Sequence, residues 1–266
     1  MRMLLVTGVS GALGKLIAAG LAGRADAVLA SRDPQYGERR IDFDDPASLD
    51  FTGVATLLLI SAGYGEDDVV ITRHGAVIDA AERDGVAHIV YTSLASAGDH
   101  LPYALPHRWT ERRLRSGRAA WTVLRNGLYA ELLAWLAAPD AEGRITAPLG
   151  GGKLAAVARR DLAEAACRVA LDPAPHAGRV YDLVGEEAVG GAELAEALGA
   201  VYTPGTMAQA RERVAASGAA PFQVPMLVGT YSAIAHGFMD GTAGDLRALL
   251  GRAPTGALDV IGGKAA

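Results

Sequence analysis

Three glycines near the start of the chain recur at intervals of three residues and could shape a phosphate-binding loop. They are Gly8, Gly11 and Gly14, in the segment TGVSGALG. In such a loop the first glycine permits a tight turn, the second lets the backbone approach a pyrophosphate, and the third lets a helix pack close to a strand. The helix N-terminus then presents free N–H groups and its positive dipole end to the phosphates. The predicted phosphate loop consists of Thr7, Gly8, Ser10, Gly11, Ala12, Leu13 and Gly14.

The residues after the second apolar run bear on which dinucleotide is bound. This run ends in LASR, and its last two residues are Ser31 and Arg32. NAD-binding proteins usually place an acid here, which holds the ribose 2′-hydroxyl. An arginine suits a 2′-phosphate instead, through charge-assisted and often bidentate hydrogen bonds. Ser31 and Arg32 therefore predict NADPH as the cofactor, while the adjacent Asp33 leaves NADH as a less favoured alternative.

Two further segments follow apolar runs, at the strand ends where sheets of this kind bind ligands. Asp42 and Phe43 could bracket an adenine with a carboxylate acceptor and an apolar wall. Ser61, Ala62 and Gly63 end another run and are expected at the same edge. Both assignments rest on position alone.

Short apolar runs that alternate with helical patterns must position these residues. Strands are predicted at residues 3–7, 27–30, 57–60, 87–91, 121–124 and 180–184, and helices at 12–22, 67–83, 110–115 and 161–171. Strands alternating with helices imply right-handed crossovers and a parallel sheet covered on both faces. The predicted fold class is α/β, a Rossmann-type doubly wound parallel sheet. This setting, between a strand and an amphipathic helix, favours dinucleotide binding over a ligand-free glycine turn.

The pattern changes after residue 190, where only helices are predicted, punctuated by proline and glycine. We expect residues 1–266 to form a single NAD(P)-binding domain, with 186–266 contributing most of a small, mostly helical substrate lobe. Asp161 and Glu164 have the spacing of a capping box at a helix start, which is a structural role.

Composition argues against several other classes of protein. The 266 residues are 50% hydrophobic and 21% charged, which suits one folded core. A net charge of -5 argues against a nucleic-acid partner. Cys167 is the single cysteine, so no internal disulfide can form, and no metal site is predicted. Without an apolar run of membrane-spanning length or a signal peptide, we expect a cytoplasmic protein with no membrane partner.

Three more motifs accompany the glycine loop: Tyr91-Thr92-Ser93, HRWTE at 107–111 and LRNGLY at 124–129. Together they resemble the NmrA-like branch of atypical short-chain dehydrogenases, particularly its bacterial quinone oxidoreductase and triphenylmethane reductase group. The resemblance covers nearly the whole chain, and the last two motifs are more specific than the glycine loop. It implies a nicotinamide cleft between the carboxyl edge of the sheet and the C-terminal lobe. Thr92, Ser93 and His107 are then further cofactor residues.

The chain lacks the usual catalytic motif of short-chain dehydrogenases, Tyr-x-x-x-Lys. Tyr103 is followed four positions later by His107, and Pro106 argues against one continuous helix through both. His107 could bond a cofactor ribose or phosphate, or it could merely cap a helix. Asn126 could orient nicotinamide or substrate, with a structural turn as the alternative. His107, Tyr103 and Asn126 are the candidate catalytic residues, and none of them is a standard general acid.

The absence of a strong acid favours a particular class of hydride acceptor. Hydride addition to a quinone or another conjugated electrophile leaves delocalised or neutralised charge, so proton donation matters less than for a simple ketone. Positioning would dominate catalysis. The sequence thus predicts an NADPH-dependent oxidoreductase acting on a small hydrophobic or aromatic molecule. The alternatives are a tailoring reductase of a specialised metabolite and a non-catalytic NADP(H)-sensing regulatory protein, and by family analogy a homodimer stays open.

Overall fold

A computed structural model describes residues 3–62 and 65–264 of the chain. The strands are β1 Met3–Val6, β2 Ala27–Ser31, β3 Arg39–Arg40, β4 Val54–Leu59, β5 His88–Leu94, β6 Ala120–Asn126, β7 Arg144–Ile145, β8 Lys153–Leu154, β9 Val180–Leu183, β10 Val189–Gly190 and β11 Val201–Tyr202. The helices are α1 Ala12–Gly20, α2 Asp67–Arg83, α3 Leu105–Arg115, α4 Ala130–Leu136, α5 Arg159–Leu171, α6 Gly191–Leu198, α7 Met207–Ala216, α8 Gln223–Ala235, α9 Asp245–Leu250 and α10 Ala257–Ile261.

Seven strands form a parallel sheet in the order β3-β2-β1-β4-β5-β6-β9. The order reverses direction at β1, next to β4, which is the topological switch point where doubly wound sheets bind ligands. The central strands β1 and β4 are nearly continuous apolar runs, as expected where helices cover both faces of a parallel sheet. Leu5, Leu57, Leu59 and Ile89 are fully buried in the core cluster of this sheet. The predicted Rossmann-type fold class is confirmed.

The chain separates into two compact units. The first comprises residues 3–94, Leu105–Asn126 and Leu162–Tyr181. The second comprises Ala95–Ala104, Gly127–Asp161 and the chain from Asp182 onward. The expectation of a single domain with a lobe over 186–266 stays a prediction.

Two local predictions are corrected in the first and second units. The helix predicted at 110–115 begins earlier, at Leu105, because Pro106 lies in its first turn, where a missing N–H is tolerated. The region after residue 190 is not purely helical, since β11 pairs in parallel with β7. Among the described helices, none combines the length and apolarity needed to cross a membrane.

Asp161 does not form the predicted capping box in the second unit, because α5 already begins at Arg159. Its fully buried carboxylate accepts hydrogen bonds from Nη2 of Arg252, at 2.8 Å, and from the backbone N–H of Thr255, at 2.5 Å. Glu164 instead pairs with Arg168 on the surface of the same helix. Asp161 therefore ties the C-terminal segment to the start of α5.

Candidate functional site

The phosphate loop has the backbone geometry that its glycines predict. Gly8 adopts a left-handed conformation with φ of +69°, which disfavours any side chain. A Cβ on Gly14 would lie 2.1 Å from the carbonyl oxygen of Gly8, so the helix approaches the loop more closely than alanine allows. Gly11 caps α1 and provides no side-chain hydrogen bond. The first N–H groups of α1 are therefore left for an anion.

The side chains of this loop fit a pyrophosphate as well. Ser10, Gly11 and Ala12 are exposed, and the first turn of α1 carries no acidic residue that would repel phosphate. Thr7 is buried and serves the sheet, since its hydroxyl accepts from the backbone N–H of Ile60 at 3.2 Å. Leu13 is buried. The donors that could hold a cofactor phosphate are thus backbone groups and the exposed hydroxyl of Ser10.

The end of β2 presents an arginine that pairs with no carboxylate. Arg32 is exposed and makes no hydrogen bond or ion pair with any residue in the described part of the chain, although its charge helps to lower the pKa of Asp44. Both carboxylate oxygens of Asp33 are engaged by Gln35, one by its backbone N–H at 3.1 Å and the other by its side-chain amide at 2.6 Å. Ser31 is buried and accepts from the backbone N–H of Asp33 at 3.3 Å. Asp33, the residue that kept NADH as an alternative cofactor, therefore already has both carboxylate oxygens hydrogen-bonded within its own turn.

The predicted adenine residues lie in a loop with its own hydrogen-bonded structure. The carboxylate of Asp42 accepts from the backbone N–H of Asp44 at 3.1 Å. Phe43 is half-buried and packs against the core of the sheet. Arg73 of α2 donates two hydrogen bonds, at 2.7 and 2.6 Å, to the carboxylate of Asp44. This ion pair fixes the loop to α2, and adenine binding by Asp42 and Phe43 stays a prediction.

A buried histidine that the sequence analysis missed holds the loop after β4. The backbone N–H of Ala62 donates to Nε2 of His74 at 2.9 Å. Nε2 is therefore unprotonated, and Nδ1 donates to the hydroxyl of Thr110 at 2.8 Å, which in turn donates to the carbonyl of Pro106. The backbone N–H of Ser61 donates to Thr92 at 3.0 Å. Gly63 lies outside the described residues.

His107 lies in the first turn of α3, beside a buried tyrosine. Its Nδ1 is 2.9 Å from the hydroxyl of Tyr91. Burial, together with the charge of Arg108, lowers the pKa of His107 to about 4, although the charge of Glu111 acts in the opposite direction. Burial raises the pKa of Tyr91 above its ordinary range. Both groups are neutral at pH 7, so His107 can hydrogen-bond a cofactor but holds no extra proton to donate.

Glu111 is a second residue whose role the sequence analysis missed. Its carboxylate is 1% exposed and accepts from Arg125 at 2.7 Å, Arg108 at 2.9 Å and the hydroxyl of Ser93 at 2.7 Å. Burial acts to raise the pKa of Glu111, but hydrogen bonds from Arg125 and Ser93 and the charges of Arg125 and Arg108 outweigh it, and the pKa is lowered. Glu111 therefore links the ends of β5 and β6 to α3. Ser93 is occupied by this contact.

The two remaining catalytic candidates differ in how they are bonded. In the second unit, Thr230 donates to the carbonyl of Met226 at 3.0 Å, so Tyr103 must donate its own proton to Thr230, at 3.1 Å. Burial raises the pKa of Tyr103 to about 12.

In the first unit, Asn126 ends β6 and is 6% exposed, and its Oδ1 has no hydrogen-bond partner among the described residues. A buried acceptor of this kind fits a ligand N–H, such as a carboxamide.

We expect His74 to make stability depend on pH. Burial lowers its pKa from 6.5 to about 3, so the unfolded chain binds a proton that the folded chain does not. The contribution of neutral His74 is present above pH 6.5 and is lost as pH falls toward 3. Urea denaturation at several pH values between about 6 and 5 measures how the free energy of unfolding changes with pH. This slope should be smaller in His74→Gln than in wild type by about 1.4 kcal/mol per pH unit. Exposed His236 is the control, and an equal loss of slope in His236→Gln would contradict this assignment.

This strand order, with a glycine loop after β1 and an open helix start behind it, defines a dinucleotide-binding protein. Quinone oxidoreductase 2 of Escherichia coli is 36% identical over 203 residues, covering 70% of each chain. The solved structure of Citrobacter sp. triphenylmethane reductase complexed with NADP(H) matches with a TM-score of 0.89 and 29% identity, over 97% of this chain and 98% of that one. NADPH-dependent quinone oxidoreductase from E. coli, complexed with NADPH, matches with a TM-score of 0.88 and 30% identity, over 98% and 99%.

No protein-family model matches the chain, so its classification rests on these relatives. The chain belongs to the NmrA-like group of atypical short-chain dehydrogenases, in its branch of NAD(P)H-dependent reductases.

Proposed function

We propose that this reductase uses NADPH to transfer hydride to a quinone or a similar conjugated or aromatic electrophile. The observation that carries the acceptor class is the state of the two candidate acids. Tyr103 donates its proton to Thr230 and has a pKa raised to about 12, while His107 has a pKa lowered to about 4. Neither offers a proton readily near pH 7. Acceptors that delocalise the incoming charge need such a proton least.

The cofactor preference follows from the end of β2. Arg32 is unpaired and exposed, whereas the neighbouring Asp33 is engaged on both oxygens by Gln35. A guanidinium without a carboxylate partner is suited to a 2′-phosphate, and the committed Asp33 is not available to a ribose hydroxyl. The E. coli and Citrobacter relatives, solved with NADPH and NADP(H), support the same preference.

When bound, NADPH supplies the hydride, and the protein's part is to bind and orient. The open N–H groups at the start of α1 would hold the pyrophosphate, and Arg32 would hold the 2′-phosphate. The orphaned Oδ1 of Asn126 would accept a carboxamide N–H of the cofactor. His74 keeps the backbone after β4 in place, and Glu111 keeps the ends of β5 and β6 in place. Catalysis would then come from positioning.

The acceptor class is tested by following NADPH consumption with quinones, conjugated dyes and enones beside simple saturated ketones. We expect turnover with conjugated acceptors and little with the ketones, because a ketone needs an acid to protonate the developing alkoxide. Equal or faster reduction of the saturated ketones would overturn the proposed acceptor class.

We expect Arg32→Ala to lower kcat/KM for NADPH by about 10- to 100-fold, since it removes charge-assisted hydrogen bonds to the phosphate. The value for NADH should change little, because NADH has no 2′-phosphate. Arg24→Ala is the matched control: Arg24 pairs with Asp26 on the surface just before β2 begins. Equal losses with NADPH and NADH would show that Arg32 does not select the cofactor.

A further inference from the structure

A guanidinium in the second unit is half-buried and has no carboxylate partner. Arg159 is the first residue of α5, and its Nε is buried without a hydrogen-bond partner among the described residues. Within residues 3–62 and 65–264, no ion pair involves Arg159. Withdrawing a charged donor from water without a partner is costly, so such a group is usually compensated. The missing acceptor points to a ligand.

The carboxylate that bonds the backbone of Arg159 does not pair with its guanidinium. Glu131 of α4 accepts the backbone N–H of Arg159, at 3.2 and 3.4 Å from its two oxygens. It thereby caps the start of α5 while the guanidinium of Arg159 stays unpaired. Glu131 therefore bonds the backbone of Arg159 and forms no ion pair with its guanidinium.

An aromatic ring holds the guanidinium in place. The Cζ atom of Arg159 lies 4.6 Å from the ring centroid of Tyr129, a cation–π distance. Tyr129 and Val157 form a parallel bridge, and the backbone N–H of Ala130 donates to the carbonyl of Val157 at 2.9 Å. These backbone contacts hold Tyr129 opposite Val157, which lies two residues before Arg159. The N–H donors of the Arg159 guanidinium are thus held in a fixed orientation against the ring of Tyr129.

We propose that Arg159, stacked on Tyr129, binds an anionic oxygen, a carboxylate or sulfonate, carried by a planar aromatic acceptor. This inference rests on the proposed function and narrows its substrate class to aromatic acceptors that carry a negative charge. A planar guanidinium matches the geometry of carboxylate and sulfonate oxygens, and the orphaned Nε–H supplies a donor that water reaches poorly. Anionic aromatic acceptors are then preferred over neutral ones, and cationic dyes are disfavoured.

The test compares two quinones that differ in one group, 1,4-naphthoquinone and its 2-sulfonate, in wild type and Arg159→Gln. We expect kcat/KM for the sulfonate to fall by about 10-fold or more in the variant, and that for the neutral quinone to change by less than about 3-fold. The ratio between variant and wild type cancels the different potentials of the quinones. Arg160→Gln is the matched control, because Arg160 is exposed on the same helix and bonds Thr255.

A second measurement separates this inference from the proposed function. Binding of 2-naphthalenesulfonate, which cannot be reduced, is titrated with NADP⁺ present, and Arg159→Gln should weaken it about 10-fold. Arg159→Lys should restore part of the affinity, since it keeps the charge and loses the fork. Sulfonate binding without reduction of any quinone would refute the proposed function alone. Equal losses for both quinones, or unchanged sulfonate binding in Arg159→Gln, would overturn the role of Arg159.

Discussion

Replacement of Gly14 by alanine is expected to weaken NADPH binding by more than about 100-fold and to destabilise the fold. The new Cβ would lie 2.1 Å from the Gly8 carbonyl oxygen and 2.7 Å from Cα of Val9. Both are backbone atoms, so the loop or α1 must shift rather than a side chain. Such a shift moves the N–H groups that would hold the pyrophosphate, and misplaced donors lose most of their binding energy.

Gly11→Ala separates binding from folding at the same loop. Its Cβ would meet only the Gly8 carbonyl oxygen, at 3.4 Å, and its φ of -74° suits any residue. We therefore expect a stable protein that binds NADPH poorly, because the methyl group occupies the path of the phosphates. Gly151→Ala, which meets nothing within 4 Å, is the neutral control. Affinity would be measured by the fluorescence of bound NADPH. Wild-type affinity in Gly14→Ala would show that the loop does not bind the cofactor.

Glu111→Gln is expected to lower the free energy of unfolding by about 3–5 kcal/mol, because it leaves the partly buried Arg108 and Arg125 without their buried counter-charge. The carboxylate is 1% exposed and pairs with Arg108, Arg125 and Arg115. Its pKa is lowered in the folded state, so the stabilisation is present at pH 7 and is lost as pH falls through the folded pKa. Because glutamine has nearly the same size as glutamate but carries no charge, Glu111→Gln isolates this electrostatic contribution.

Urea denaturation at pH 7 measures this loss of stability. Glu164→Gln is the control, since Glu164 forms an exposed pair with Arg168 one turn along α5 and should change stability by less than about 1 kcal/mol. If the two variants lose similar stability, the cluster around Glu111 is not the structural centre that its contacts indicate.

The sheet could be predicted from the sequence because its strands are buried on both faces. Residues 57–60, for example, are apolar along their whole length, so this strand can be recognised without knowledge of its neighbours. The glycine loop was predictable for a similar reason, since Gly8 and Gly14 answer purely local steric requirements. The start of α3 was missed because Pro106 was taken as a helix breaker, although the first turn tolerates it.

The site's supporting residues could not be predicted with the same ease. His74 lies four residues after Val70 and three before Val77, on the buried face of α2, and a histidine in an apolar stripe was the available signal. Its partner Ala62 is twelve residues away, and Thr110 is on another helix. The only sequence signal for the hydrogen bonds between Asp33 and Gln35 was Pro34, which follows Asp33 and favours a capped turn. Side-chain pairing across elements depends on packing that periodicity does not encode.

The most direct test of the central claim follows the reduced-nicotinamide absorbance of NADPH and NADH with purified protein and a panel of conjugated quinones and dyes. The account predicts that NADPH is consumed faster than NADH, and that NADPH deuterated at both C4 positions is consumed more slowly because that hydride is transferred. If NADPH binds but no acceptor causes its oxidation, the chain senses the cofactor rather than using it, and the proposed hydride transfer is contradicted.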